Sequence, residues 1–217
     1  MQLHIVPVTS FVENTYILSD EKSKEAIIFD PGGEAERILG TVKELGLTVK
    51  YILNTHGHMD HVGGVLKVRE GTGATWGIHA NDAAMAKRQP ASYALRLIPD
   101  YLDPPDPDMM LKENDEFTIG DITVKVIETP GHTMGSICFL ADGVLISGDT
   151  LFQGSVGRTD FPGSSTEALV KSIKEKLFAL DEETVVLPGH GGETSIKQEK
   201  QFNPFVGAGA KNRLWTP

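Results

Sequence analysis

The sequence predicts a layered α/β fold, and three observations lead to that prediction. Short β-rich runs alternate with turn signals, single amphipathic helices separate these runs, and the pattern has two similar halves. The composition is ordinary for a globular protein, with 40% hydrophobic and 23% charged residues in a chain of 217. Strands interrupted by single helices bury their apolar faces most readily as stacked layers of sheet and helix.

The first half of the chain has five predicted strands and three predicted helices. The strands are expected at residues 3–8, 15–18, 26–29, 49–53 and 76–79. A helix is expected over 34–45, because Ile38, Val42 and Leu45 recur on one face and Gly46 follows as a terminator. Further helices are expected over 60–71 and 82–87.

The second half begins after an acidic, proline-rich segment at 99–107. We expect this segment to be a surface loop, because strands resume at once without a change in composition; a lid or a linker is the alternative. Strands are then expected at 117–119, 122–127, 137–140, 144–147 and 184–187, with helices over 167–180 and 196–202.

Composition also limits the partners and the compartment. The 20 basic and 30 acidic residues give a formal charge of −10, which argues against nucleic acid as a partner. The single cysteine, Cys138, excludes an internal disulfide and lies in an apolar run, so we expect it in the core. No apolar run is long enough for a membrane span, and the first residues lack signal-peptide features. A cytoplasmic protein without a membrane partner is therefore predicted, and its oligomeric state is left open.

Histidine and aspartate residues gather where predicted strands end. Three histidines and an aspartate stand in the stretch 56–61, which reads His-Gly-His-Met-Asp-His. Residues two apart in an extended segment point the same way, so His56 and His58 can converge on one point. Asp60 and His61 then lie at a predicted helix start, and their side chains can point to a second position close to the first. Later turns add Pro-Gly-His132, Gly-Asp149 and Pro-Gly-His190, where glycine permits close approach of the backbone.

Imidazole and carboxylate side chains together suit zinc or iron. The candidate metal ligands are His56, His58, Asp60, His61, His132, Asp149 and His190. One tetrahedral ion needs only three protein ligands and a water, so seven ligands suit two divalent ions if one carboxylate bridges them. Zinc is the first expectation, and iron and manganese remain possible. His4 and His79 lie outside this pattern and are assigned to a strand and to a strand-to-helix turn.

With these motifs the chain resembles the metallo-β-lactamase superfamily. The family signature His-x-His-x-Asp-His stands at 56–61, and its later histidine, aspartate and histidine stand at His132, Asp149 and His190. The resemblance implies a four-layer αβ/βα sandwich with the metals at one edge of the sheets, formed by a single domain over 1–217. It also implies that His56, His58 and His132 hold one ion. Asp60, His61 and His190 would hold the other, with Asp149 bridging.

Within that superfamily the chain most resembles short glyoxalase II-like hydrolases, through segments 148–152, 157–161 and 203–205. The resemblance implies hydrolysis of a small anionic glutathione thioester such as S-lactoylglutathione by a hydroxide held between the ions. Asp60 and Asp149 would be the catalytic carboxylates, and Arg158 would bind the glutathione. Two features depart from the family: there is no C-terminal helical extension, and Asp160 replaces a tyrosine. A structural role for Arg158, paired with Asp160 or a carbonyl, is the alternative.

Other functions use the same residues. Persulfide dioxygenases resemble this family, share a segment like 157–161, and would hold one iron on His58, His132 and Asp149 or on a near variant of that set. Another metallohydrolase is a further alternative, with a lactonase less favoured and a nuclease opposed by the acidic charge. Asp30 is open between two roles: it could be the partner of a ligand histidine, or it could cap its own turn.

Overall fold

The computed structural model describes residues 1–87 and 91–210, and it confirms the layered α/β fold. The first half of the chain forms a six-stranded sheet with the order β1-β2-β3-β4-β5-β6. Its strands are β1 (Gln2–Val8), β2 (Glu13–Ser19), β3 (Glu25–Phe29), β4 (Thr48–Leu53), β5 (Thr75–His79) and β6 (Met109–Leu111). Strands β1 to β3 pair antiparallel, and β3 to β6 pair parallel. Its helices are α1 (Ala35–Glu44), α2 (Met59–Val62), α3 (Val65–Thr72), α4 (Ala80–Ala86) and α5 (Ala91–Leu97).

The second half forms another six-stranded sheet and a two-stranded ribbon. Its first strands are β7 (Glu116–Ile119), β8 (Ile122–Glu128), β9 (Ile137–Ala141) and β10 (Val144–Gly148), followed by a ribbon of β11 (Leu151–Phe152) and β12 (Ser155–Val156). The later elements are α6 (Thr166–Glu175), β13 (Val185–Pro188), β14 (Thr194–Ser195) and α7 (Ile196–Phe202). The sheet order is β14-β13-β10-β9-β8-β7.

Side-chain alternation along the strands creates the layers. On β3, Ile27 and Phe29 point into the core between the two sheets, whereas Ile28 packs beneath α1 and α3. Phe29 meets Phe139 of the second sheet with ring centroids 4.9 Å apart. Cys138, on the other face of β9, packs with Leu169 of α6. Helix, sheet, sheet and helix therefore stack as four layers, as a metallo-β-lactamase-type sandwich requires.

Several predicted helix boundaries differ from the structure. The single helix expected over 60–71 is two helices, because Gly63 and Gly64 lie against the backbone of the loop after β3. A Cβ on Gly63 would lie 2.6 Å from the carbonyl oxygen of Gly32, so the chain bends away at this contact. The helix expected over 167–180 ends at Glu175 and continues as a 3₁₀ turn at Leu177–Ala179.

The middle of the chain has more structure than predicted. Helix α5 and the three-residue edge strand β6 were not predicted, and β6 is too short for a periodic pattern. The segment 99–107 is a loop, as predicted, but it is tied to the fold. The carboxylate of Asp100 accepts hydrogen bonds from the backbone N–H groups of Glu34 and Ala35, each at 3.2 Å, at the start of α1.

Two further predictions concern membrane-spanning helices and the number of domains. Across residues 1–87 and 91–210, no helix combines the length and the apolar character needed to cross a bilayer. The assignment of 1–217 to one domain stays a prediction, and residues 211–217 lie outside the described part.

Candidate metal centre

All seven predicted ligand side chains lie together at the carboxyl ends of strands. The stretch 56–61 follows β4 of the first sheet, while His132, Asp149 and His190 follow β8, β10 and β13 of the second. Both sheets therefore contribute to one cluster. We call His56, His58 and His132 the first group, and Asp60, His61 and His190 the second group; Asp149 lies between them.

Three imidazole nitrogens converge in the first group. The Nε2 atoms of His56 and His132 each lie 3.0 Å from Nδ1 of His58. The other nitrogen of His132, Nδ1, donates to the backbone oxygen of Arg158 at 2.8 Å. His56 Nδ1 donates to Thr55 Oγ1 at 3.0 Å, because that hydroxyl gives its own proton to Asp30. Both Nε2 atoms therefore present lone pairs, and three such nitrogens facing each other suit a cation.

The second group contains buried polar atoms without a hydrogen-bond partner. His61 is 0% exposed, and its Nδ1 donates to Asp30 Oδ2 at 3.0 Å, which leaves a lone pair on Nε2. That Nε2 lies 3.5 Å from Asp149 Oδ1, and neither atom has a hydrogen-bond partner. Two buried acceptors facing each other carry an energetic cost that a bound cation removes.

Asp60 and His190 complete the second group. His190 Nδ1 donates to the backbone oxygen of Phe11 at 3.2 Å, so its Nε2 faces the cluster. Nε2 lies 3.4 Å from Asp60 Oδ2 and 3.8 Å from Asp149 Oδ1. Asp60 and His190 are only partly buried, which leaves this side of the cluster open to solvent.

Asp149 faces both groups with different oxygens. Oδ1 points to His61 and His190, and Oδ2 lies 3.6 Å from Nε2 of His132. A carboxylate placed in this way can bridge two ions that share a site. The donor set of imidazoles and carboxylates, together with the unpaired atoms of His61 and Asp149, fits two divalent cations.

The electrostatics differ between the two groups. Burial, reinforced by His132, lowers the pKa of His58 to about 3, and burial with His61 holds the pKa of His56 well below its usual value. These imidazoles are therefore neutral at physiological pH, which leaves a lone pair on each ring. Burial also acts to lower the pKa of His61, but the carboxylates of Asp149 and Asp30 outweigh it and raise that pKa well above the usual value. The second group therefore lies in a negative field that favours a cation at His61 Nε2, which is a proton when no metal is bound and which a metal ion would replace.

Asp30 accepts a hydrogen bond from the candidate ligand His61, which favours its predicted role as the partner of a ligand histidine over that of a turn cap. Its Oδ2 accepts from His61 Nδ1 and from the hydroxyl of Thr55 at 2.6 Å. Its Oδ1 accepts from the backbone N–H of Thr55 at 2.7 Å and from the side-chain amide of Asn54 at 3.1 Å. One carboxylate thus orients His61 directly and His56 through Thr55, as metal-ligating histidines commonly require.

Two supporting residues were missed in the sequence. Buried Asp82 accepts hydrogen bonds from the backbone N–H groups of Gly57 and Gly135 and from the Thr133 hydroxyl, so it joins the loop of His58 to the loop of His132. Glu13 is 0% exposed and lies 3.9 Å from His61 Nδ1. Each carboxylate is far in sequence from the candidate ligands that it supports. In the sequence, each is simply an acidic residue beside or within a predicted strand or helix, which does not identify it as part of a site.

Arg158 lies at the exposed rim of the centre. Its guanidinium makes two bonds to Asp160, at 3.0 and 2.7 Å, and lies 4.5 Å from the ring centroid of Phe161. The predicted structural alternative for Arg158 is therefore present, and its exposure still leaves it accessible to a substrate. Phe161, which was not predicted as a site residue, lies 5.2 Å from the His58 ring centroid and 6.1 Å from that of His132. It forms an apolar wall beside the first group.

The remaining histidines and the cysteine have the predicted structural roles. His79 precedes α4, and its Nδ1 accepts from the backbone N–H of Asn81 at 3.2 Å. His4 lies in β1. Cys138 is 0% exposed, and burial raises the pKa of its thiol to about 11, so it offers no thiolate.

Comparisons with known proteins agree with this geometry. A sequence profile of the metallo-beta-lactamase superfamily matches residues 8–190. The hydroxyacylglutathione hydrolase GloC of Haemophilus influenzae is 38% identical, over 95% of this chain and 98% of that protein. The crystal structure of the BLEG-1 B3 metallo-beta-lactamase is similar with a TM-score of 0.86 at 38% identity, covering 94% of this chain and 99% of that one. The structure of TTHA1623 in a di-iron-bound form has a TM-score of 0.83 at 35% identity, covering 94% and 100%.

Proposed function

The chain belongs to the metallo-β-lactamase superfamily, and on that basis we propose that it is a binuclear metallohydrolase that cleaves a glutathione thioester such as S-lactoylglutathione. The observation that carries the two-metal part is the position of Asp149 between two groups of lone-pair atoms. The GloC relative, 38% identical over nearly the full length of both chains, supports the substrate.

The proposed metal ligands are the three histidines of the first group for one ion and the three residues of the second group for the other, with Asp149 shared. Zinc is the proposed metal, and iron or manganese would satisfy the same ligands. When bound, such ions bring the pKa of a coordinated water to about 7 and polarise a carbonyl oxygen.

The reaction adds water across the thioester. A bond forms between the water oxygen and the carbonyl carbon, the carbon–sulfur bond breaks, and the sulfur leaves as a thiolate. The products are a carboxylate and a thiol, because one proton of the water passes to the sulfur and the other to solvent. The open side of the cluster, at Asp60 and His190, is where a water molecule can enter. There the Asp60 carboxylate can accept its hydrogen bond and orient it.

Residues at the rim would bind the rest of the substrate. Phe161 shields the first group from one side and offers an apolar surface to the acyl group or the thiol. Arg158 carries a positive charge at the same edge of a protein whose formal charge is −10, so it can attract an anionic substrate locally.

Elemental analysis together with a thiol-release assay on S-lactoylglutathione tests the proposal. We expect two metal equivalents per chain and hydrolysis that is abolished in His132→Ala. The matched control is His4→Ala, which removes an imidazole from β1 and should leave both readouts unchanged. A protein that holds two metals and does not cleave this thioester would contradict the substrate assignment.

A mononuclear iron persulfide dioxygenase is the main alternative, and it needs only His58, His132 and Asp149. The second group supports our proposal of two ions, because a single ion at the first group would leave the buried Nε2 of His61 with no metal to bind. Oxygen uptake with glutathione persulfide, combined with one iron per chain, would establish the dioxygenase instead.

A further inference from the structure

We propose that Glu13 is a positioning residue for the second group: its carboxyl group acts on His61 from the side opposite the ion. The inference rests on the proposed function only in requiring that the second group binds a metal. Glu13 is not one of the seven proposed ligands, and its role concerns how firmly the second ion is held relative to the first.

The position of the Glu13 carboxyl group is the first argument. Glu13 is 0% exposed, and its Oε1 has no hydrogen-bond partner. That oxygen lies 3.9 Å from Nδ1 of His61, on the edge of the ring that Asp30 also contacts at 3.0 Å. Two carboxyl groups thus face the nitrogen that carries the proton. Acceptor oxygens on that side hold the proton on Nδ1 and leave Nε2 free to act as a metal ligand.

The remaining contacts of Glu13 give no other account of its burial. Oε2 lies 3.2 Å from the Thr15 hydroxyl, but that hydroxyl has one proton and also lies 2.8 Å from the backbone oxygen of Asp30. A buried carboxyl group without a full set of donors costs stability. A Cβ on Gly32 would lie 1.7 Å from the backbone oxygen of Asp60 and 2.7 Å from Glu13 Oε2, so this carboxyl group is packed tightly against the loop after β3.

The backbone around Glu13 holds the other histidine of the second group. Glu13 forms an isolated antiparallel bridge with His190, and the backbone oxygen of Phe11 accepts from the His190 ring. The side-chain amide of Asn14 donates to the backbone oxygens of Pro188 and Gly191, at 3.1 and 3.0 Å. The segment 11–14 therefore contacts His61 through a side chain and His190 through the backbone.

The first group is oriented by different parts of the chain. His132 donates to the backbone of Arg158, and His56 donates to the hydroxyl of Thr55. None of the described hydrogen bonds or ion pairs of Glu13 reaches a histidine of the first group. A change at Glu13 should therefore weaken one metal site and spare the other.

Competition with a chelator, followed by elemental analysis, measures both sites in the same protein. In Glu13→Ala we expect one of the two metal equivalents to lose about tenfold or more in affinity, with the other equivalent unchanged, as is usual for outer partners of metal ligands. Glu13→Gln should recover most of the loss, because its amide oxygen can face His61 while its N–H donates to Thr15. If Glu13→Ala does not fold, Glu13→Asp replaces it with the same expectation, since it withdraws the carboxyl group by one methylene.

The control is Glu199→Gln, another buried glutamate, whose partners are Thr194, Asn203 and the Gly154 backbone, away from the centre. It should leave both metal affinities unchanged. Two results would overturn the proposal: wild-type binding of both equivalents in Glu13→Ala, or an equal loss at both sites. A wild-type protein that binds two metals and hydrolyses no thioester would remove the proposed substrate and leave this test intact.

Discussion

Four of the five histidines in the candidate centre have one ring nitrogen held by the chain and the other facing the cluster. Thr55, Asp30 and two backbone oxygens accept these hydrogen bonds. Each acceptor fixes which nitrogen carries the proton, so the lone pairs are set before any ion binds. The candidate ligands are therefore preorganised by groups outside the proposed ligand set.

Asp149 is the residue whose loss should affect both ions. Asp149→Asn keeps the shape of the side chain but removes the charge and one metal-binding oxygen. Because changes to outer partners alone cost about 10–100-fold, we expect this variant to lose at least about a hundredfold in kcat/KM and to retain fewer than two metals. Thiol-release kinetics and elemental analysis measure these effects. The control Asp142→Asn, at an exposed turn, should behave as wild type, and full metal content in Asp149→Asn would contradict bridging.

Arg158 tests whether the rim residue binds substrate or only its neighbour Asp160. We expect Arg158→Ala to raise KM about tenfold while kcat changes less than about twofold, because its charge would contribute to substrate binding rather than to bond cleavage. The control is Arg69→Ala, which breaks an equivalent paired arginine at Asp108 away from the centre. Steady-state kinetics with S-lactoylglutathione decide the question. An unchanged KM would show that Arg158 pairs with Asp160 and does not bind the substrate.

The sequence indicated the candidate ligand residues, which the fold brings together, but it did not indicate the residues that support them. Residues 56–61 form a local pattern, and the later ligands each follow a strand and a glycine, so no long-range information was needed. Glu13 supports His61, and Asp82 supports Gly57 and Gly135, across gaps set by the folded chain. A buried carboxylate is recognised by what surrounds it, and the sequence does not show that environment.

At the level of elements, loops at strand ends must approach one another very closely. A Cβ on Gly189 would lie 2.5 Å from Asp149 Oδ1 and 2.7 Å from Cε1 of His61. The predicted need for glycine beside the ligands is therefore confirmed at this position. The same close packing explains why the predicted helix over 60–71 is broken at Gly63 and Gly64, where neighbouring backbone is in contact. A periodic pattern in the sequence does not report such contacts.

Gly189→Ala should displace Asp149 or His61, because neither neighbour is the free end of a flexible chain. We expect metal affinity and kcat/KM to fall at least about tenfold. The control is Gly40→Ala, in the exposed interior of α1 with no atom within 4 Å of the added Cβ. It should raise the free energy of unfolding by about 0.4–1 kcal/mol and leave activity unchanged. Wild-type metal binding in Gly189→Ala would show that the loop can adjust.

Asp82 joins two ligand loops, and its removal should destabilise the fold as well as the site. Asp82→Ala removes the acceptor of the backbone N–H of Gly135 and of the Thr133 hydroxyl. A buried donor left unsatisfied costs about 1–3 kcal/mol, so we expect a loss of about 3 kcal/mol in the free energy of unfolding. Urea denaturation measures it. Asp121→Ala, at an exposed ion pair with Lys22, is the control and should cost little. An equal effect in the two variants would contradict this role.

Across the whole molecule, the proposed ions would join the two sheets. The ligands at 56–61 follow β4 of the first sheet, and His132, Asp149 and His190 follow strands of the second. The cores that hold the layers together lie elsewhere: one fills the space between the sheets, and two lie beneath the helices. The layered fold therefore has an apolar basis of its own, and its pattern of apolar residues is why the sequence predicted it. The metals would add a second link between the halves at one edge.

Removal of the metals should therefore lower stability without unfolding the protein at room temperature. A ligand present at a thousand times its Kd stabilises the folded state by about 4 kcal/mol, and 1 kcal/mol shifts Tm by about 2–4 °C in a chain of this size. We expect a chelated sample to lose activity, to keep its far-UV circular dichroism, and to melt about 8–16 °C lower. Adding zinc, iron or manganese back should restore Tm in proportion to the metal bound. In Asp149→Asn the chelator should cause a smaller shift, because fewer ions join the sheets. An unchanged Tm after complete metal removal would show that the sheets meet through their apolar cores alone.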